Sequence, residues 1–144
     1  VEFAPNIGFI IEKPGFLPQF DAYKNLEYLY SVNHKIDKKR IEECIRLVGL
    51  DPGDKKKVGK YSMGMKQRLG IAQAIMEDPD IILVDEPFNG LDHEGVEEIR
   101  RLFLHMKELG KTILLVSHNR EDIEVLCDTV FEMDQGVMRE IFIE

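Results

Sequence analysis

Two short, unbroken apolar runs, Ile81-Ile82-Leu83-Val84 and Ile113-Leu114-Leu115-Val116, constrain the fold of this chain most. Both are strand-length and have no polar alternation, so each reads as a strand buried on both faces. Asp92 to about Leu109, between them, reads as a helix with Asp92 as its cap. Ile7 to Ile11 reads as a further buried strand, ended by the charged, Pro-containing Glu12-Lys13-Pro14-Gly15. Arg120 to Cys127 reads as a short helix. Thr129 to Met133 and Val137 to Phe142 read as strands joined by the turn Gln135-Gly136. Such alternation implies an α/β fold with a parallel sheet covered on both faces.

The stretch from Asp21 to about Glu77 breaks the alternation with three successive helices and no strand. Asp21 caps the first, running to about Asn33, and Asp37 caps the second, which has Ile41, Cys44, Ile45 and Val48 on one face. Gly49 closes that helix, and Asp51-Pro52-Gly53 makes a turn before the basic loop Lys55-Lys56-Lys57. Ser62 caps the third helix, with Met65, Leu69, Ala72 and Met76 on one stripe. The segment reads as a helical insertion on the α/β core.

Composition narrows the function. A net charge of −8 argues against a nonspecific nucleic-acid binder. No apolar run approaches the roughly 20 residues of a membrane span. Cys44 and Cys127 have no metal-site spacing and read as two buried thiols in a reducing compartment. The chain opens on Val1 rather than Met, which suggests that it begins within a longer protein.

The polar residues gather where α/β sheets bind ligands, beyond the carboxyl ends of parallel strands. Glu12 follows the first strand, Asp85-Glu86 the second and Ser117-His118 the third. Four apolar residues followed by two carboxylates form a Walker B pattern. Strand alternation would point Asp85 and Glu86 in different directions, one toward a metal shell and the other toward a water. His118 can donate to a phosphate from the neighbouring strand. Taken singly, each has a plainer reading: turn-forming acids, a solvated histidine, an N-cap serine. Their order and spacing carry the case.

Tyr61-Ser62-Met63-Gly64-Met65-Lys66-Gln67-Arg68, Ile81 to Glu86, Asn89-Gly90-Leu91-Asp92 and Val116-Ser117-His118 resemble, in order, the signature, Walker B, D-loop and H-loop of ABC ATPases. The resemblance runs from about Ile7 to Gly136. It implies an incomplete P-loop NTPase (RecA-like) core at 1–15 and 79–144, with a helical subdomain at 16–78. By that resemblance Asp85 is the Mg²⁺-associated aspartate, Glu86 the catalytic glutamate that polarises water, and His118 the histidine that contacts the γ-phosphate. Ser62 and Gly64, with Met65 in the same stretch, are similar to the signature residues that touch ATP on the opposite subunit. Asp92 resembles the D-loop aspartate that links the two sites.

Three positions depart from the family pattern. Glu12 stands where a Q-loop glutamine is usual, the signature reads Tyr-Ser-Met-Gly-Met rather than Leu-Ser-Gly-Gly-Gln, and the D-loop opens Asn89-Gly90 where Ser-Ala is commoner. With Pro14-Gly15-Phe16, these variants resemble the bacitracin-type branch of exporters. The partners so implied are a membrane-spanning permease and a second ATP-binding subunit, at the cytoplasmic side of the membrane. Phe16, Leu17, Phe20, Tyr23 and Leu26 are expected either to form the permease groove or to fill the helical core. DNA-repair and chromosome-maintenance ABC proteins place long coiled coils between Q-loop and signature. Here only about 50 residues separate Glu12 from Ser62, without sustained heptads.

A P-loop, Gly-x-x-x-x-Gly-Lys-Ser/Thr between strand and helix, is not found in the 144 residues. Gly53 to Tyr61 has the wrong spacing and ends in Lys60-Tyr61. Gly110-Lys111-Thr112 has His105 at the first glycine position and lies between a helix and the next strand. The resemblance therefore implies that about the first 60 residues of a full subunit lie upstream, together with the family's adenine-stacking aromatic. In the family the P-loop strand lies between the His118 strand and the strand resembling Thr129 to Met133. In this chain the helical segment is expected to fold normally and Thr129 to Glu144 to be displaced, mobile or paired with a second molecule.

Overall fold

The computed structural model describes residues 6–10 and 15–143. Glu12, and Ile11 at the expected end of the first strand, lie outside them. The elements run β1 (Ile7–Ile10), α1 (Ala22–Tyr30), α2 (Lys38–Leu47), a 3-10 turn (Val58–Lys60), α3 (Met63–Ile75), β2 (Ile81–Asp85), α4 (His93–Glu108), β3 (Thr112–Val116), α5 (Arg120–Leu126), β4 (Val130–Asp134) and β5 (Val137–Ile141). Strands β1, β2 and β3 form one parallel sheet in that order, with Ile10 opposite Val84 and Asp85 opposite Val116. Parallel register brings the carboxyl ends of all three to one edge.

Each helix expected in the insertion forms, and its cap is the expected residue. The carboxylates of Asp21 and Asp37 accept the backbone N–H of Lys24 and Arg40. Ser62 Oγ accepts that of Met65 at 3.1 Å. Satisfying one orphan donor in this way contributes on the order of 1 kcal/mol per helix. The helix capped by Asp21 stops at Tyr30, short of Asn33. Leu26, Ile41, Cys44, Ile45, Leu69 and Ile71 are fully buried together and make the core of this segment. Leu26 thus belongs to the core, with Phe16 and Tyr23 packed partly against it.

Helix α3 buries a wider arc than its expected stripe, including Gly70, Ile71, Ala74 and Ile75. It lies between the other two helices and β1, and the contact with β1 is close. A Cβ at Gly8 would sit 2.0 Å from the Ala74 carbonyl oxygen, so only glycine fits the strand at that point. Buried Asn25 braces the segment preceding α1. Its Oδ1 accepts from Leu17 N at 2.8 Å, and its Nδ2 donates to the carbonyls of Leu17, Phe20 and Asp21.

Strands β4 and β5 pair antiparallel with each other and form a separate two-stranded sheet. Among the described residues β3 is an edge strand, with Leu114 and Val116 at least half exposed, and so are Phe131 and Met133 of β4. The strand order leaves this terminal hairpin unpaired with β1–β3 among the described residues. Cys44 is buried as expected, but Cys127, at the end of α5, is only partly covered.

Candidate functional site

Strand β2 carries the two carboxylates to the sheet edge and ends at Asp85, whose side chain is exposed there. Glu86 does not continue the strand. Its φ is +46°, the left-handed region, so strand alternation does not set the direction of its side chain. The expectation of alternation is corrected on that point, because Glu86 is not in extended strand conformation. Non-glycine residues in this conformation are costly unless their surroundings fix them.

Those surroundings are specific. Glu86 N donates to Val116 O at 2.9 Å, carrying the β2–β3 ladder one residue past the strand. The Glu86 carbonyl accepts from Asn89 N at 3.3 Å and from Gln67 Nε2 at 3.4 Å. Gln67 Nε2 also donates to Pro87 O at 3.0 Å. The carboxylate points to the next strand's exit: Oε1 accepts from His118 N at 3.0 Å and lies 3.4 Å from His118 Nε2. The His118 side chain is 94% exposed, so its imidazole faces the open edge beside Glu86.

The His118 loop has its own support. Asn119 N donates to Ser117 Oγ at 3.0 Å, and Ser117 Oγ donates to Asp122 Oδ2 at 3.3 Å. The other Asp122 oxygen receives Arg100 Nε at 3.0 Å, a buried ion pair that fastens α5 to α4. Burial works against the Arg100 charge, but Asp122 and Glu121 outweigh it and raise its pKa above the ordinary arginine value.

The third component is the amino end of α3. Ser62 is exposed and caps the helix; its oxygen accepts from Met65 N, leaving the hydroxyl hydrogen free to donate outward. The first turn packs on the segment after Pro87: a Cβ at Gly64 would meet Gly90 O at 2.7 Å, and one at Gly90 would meet Met63 Cγ at 2.8 Å. Asp92 caps α4 by accepting from Gly95 N at 2.8 Å. The structure thus brings Asp85, Glu86 and His118 to one edge and ties them, through residues 86–92, to the Ser62–Met65 turn. Glu12 lies outside the described residues.

Sequence reasoning missed Gln67, Arg100 and Asp122 as supporting groups. Gln67 lies within the quoted Tyr61 to Arg68 motif, a signal that could have flagged it. Arg100 and Asp122 meet only through the packing of α4 on α5, and no local pattern announces them.

Could this edge hold Mg²⁺? Among the described residues no three His, Cys, Asp or Glu side chains gather into a metal-holding group. A hard carboxylate at an open edge suits a cation that keeps waters and takes further oxygens from a substrate's phosphates. Asp85 fits that requirement.

Comparison with known proteins agrees with this architecture. Residues 2–89 match the family model described as ABC transporter. The chain belongs to the ABC transporter family. It is 45% identical over 136 residues to "Uncharacterized ABC transporter ATP-binding protein YybJ" of Bacillus subtilis (strain 168), covering 94% of this chain and 62% of that protein. It is 41% identical over 131 residues to "Bacitracin transport ATP-binding protein BcrA" of Enterococcus faecalis, covering 90% of this chain and 42% of that protein. Among solved structures, "Dimeric Structure of MJ0796, a Bacterial ABC Transporter Cassette" superposes with a TM-score of 0.82 at 26% identity, covering 94% of this chain and 62% of that one. The chain therefore spans only part of the length of these relatives.

Proposed function

We propose that this chain is the signature-bearing part of an ABC exporter's ATP-binding subunit, one that couples ATP hydrolysis to transport across a membrane. The observation that carries the reading is the junction at the sheet edge. Glu86, held in a left-handed turn, presents its carboxylate to His118, and the same turn rests on the amino end of α3.

The chain's residues divide the work. Asp85 would hold Mg²⁺ brought with ATP, and that ion supplies charge neutralisation on the phosphate oxygens when bound. Glu86 accepts hydrogen bonds and can orient and polarise an attacking water. Exposed His118 can turn its imidazole from Glu86 to the γ-phosphate. Ser62 and the free backbone N–H groups of α3's first turn suit an anionic oxygen. By the family resemblance, that oxygen belongs to ATP on a second subunit, and Gly64 permits the approach. Met65 replaces a polar contact with an apolar one, and Asp92 both caps α4 and faces the partner site. We assign Glu12 a place near the metal on its sequence position alone.

The similarity to a bacitracin transport protein and the variant motifs support export. The likeness to a dimeric cassette supports a paired subunit, with a permease as the second partner at the cytoplasmic face. In this reading residues 16–78 form the helical subdomain.

Calorimetric titration with Mg-ATP tests the division of labour. The chain alone should show no tight binding, because its 144 residues include no phosphate cradle. Joined to a P-loop segment, it should bind and hydrolyse ATP. A micromolar dissociation constant for the chain alone, or no turnover when joined, would contradict the reading.

A further inference from the structure

We propose that Gln67 is a positioning residue for Glu86, acting through the backbone at Glu86-Pro87. It would thereby couple the nucleotide-facing end of α3 to the carboxylate of the same chain. The inference rests on the reading of Glu86 as the water-polarising group.

Gln67 is a polar side chain that is only 4% exposed, on a helix otherwise packed with aliphatic groups. Its amide is turned so that Nε2 meets two successive carbonyls, Glu86 O at 3.4 Å and Pro87 O at 3.0 Å. With two acceptors facing it, the nitrogen and not the oxygen must occupy that position. Both carbonyls lie on the C-terminal side of Glu86, the left-handed residue of the site. The nitrogen side of Glu86 is tied to Val116 O, and Pro87 is fully buried. Among the described residues, Gln67 is the side chain that holds the carbonyl side. Without its two donors, the turn can relax from φ +46° and carry the carboxylate away from its place beside His118.

The same helix touches the far end of the segment, where Gly64 lies against Gly90 O. Residues 86–90 are thus held to α3 at both ends, by a side-chain amide at one and by backbone contact at the other. A displacement of α3 when Ser62 engages a phosphate would be passed to Glu86 without an intervening flexible link. A misplacement of the order of 1 Å in catalytic geometry lowers turnover about a hundredfold.

The test uses a subunit in which this chain is joined to a P-loop segment. Gln67→Met keeps the size and removes the donors; Gln67→Glu keeps the shape and removes them. Arg40→Met is the comparison, since it deletes donors to Ile75 O and Met76 O at the opposite end of α3. We expect both Gln67 variants to lower kcat about a hundredfold while KM for ATP and the ATP-dependent dimer are retained. Arg40→Met should lower Tm and leave kcat unchanged. Gln67 variants that turn over at the wild-type rate, while Glu86→Gln does not, would overturn the proposal and spare the reading beneath it. Turnover surviving in Glu86→Gln would overturn that reading too. Loss of ATP binding together with Tm, or failure of both Gln67 variants to fold, would also overturn the proposal, making Gln67 a packing residue.

Discussion

At the scale of single residues, two close backbone approaches depend on glycine. Gly8 admits the α3 backbone onto β1, and Gly64 admits the Gly90 carbonyl onto α3. Substituting Gly8 by Ala places a Cβ 2.0 Å from a backbone oxygen that cannot rotate away. We expect a loss of about 1–3 kcal/mol, the range for overpacking a filled interior, read from urea unfolding of wild type and variant. The buried Arg100–Asp122 pair makes a second prediction. Arg100→Met leaves the Asp122 carboxylate buried without its cation, and removing one partner of such a pair costs about 3–5 kcal/mol. Because Asp122 also receives Ser117 Oγ, hydrogen exchange at Ser117–Asn119 should rise in that variant. Unchanged stability and exchange would show that the pair does not brace the His118 loop. The capping residues were legible in advance because a cap is decided by its own four or five neighbours. Glu86's left-handed turn was not, because Pro87 signals that the strand stops but not that the residue before it takes a positive φ.

At the scale of elements, the three helices of residues 22–75 bury their titratable groups unevenly, and this gives their stability a pH dependence. Burial pushes the Cys44 thiol up to about 11, and burial together with a hydrogen bond to Glu27 pushes Tyr23 up to about 12. Both folded values lie above the ordinary ones, so the folded state retains protons that the unfolded state releases. The associated stability is complete below about pH 9 and is lost as pH rises toward 11 and 12. Thermal unfolding should therefore show Tm falling through this alkaline window, and Cys44→Ala should flatten the portion that begins near pH 9. A Tm independent of pH there would contradict the assignment. Helix periodicity located these elements because their apolar faces recur every three or four residues. It understated α3, whose burial on two sides depends on β1, a strand far from it in sequence.

At the scale of the whole molecule, the parallel sheet and the terminal hairpin are two separate sheets. Among the described residues, strand β3 leaves apolar Leu114 and Val116 exposed beside an unpaired ladder edge, the arrangement that recruits further strands. We expect light scattering to rise with protein concentration, and hydrogen exchange in Val130–Ile141 to exceed that in Ile81–Asp85. A strict monomer with equal protection in both would contradict this. The order of the motifs made the sheet edge legible before any coordinates. Parallel strands put Glu86 and His118 at that edge in advance, whereas the packing of the Ser62–Met65 turn on residues 86–92 was not legible, because such contacts depend on the completed fold.

In the proposed function, Glu86 polarises the attacking water while other groups hold ATP. Single-turnover hydrolysis by Glu86→Gln, in a subunit joining this chain to a P-loop segment, tests it most directly. The amide keeps the shape and removes the charge, so ATP should remain bound in a dimer that persists on a sizing column while phosphate release stops. Phosphate released at the wild-type rate, or ATP lost along with turnover, would contradict the assignment.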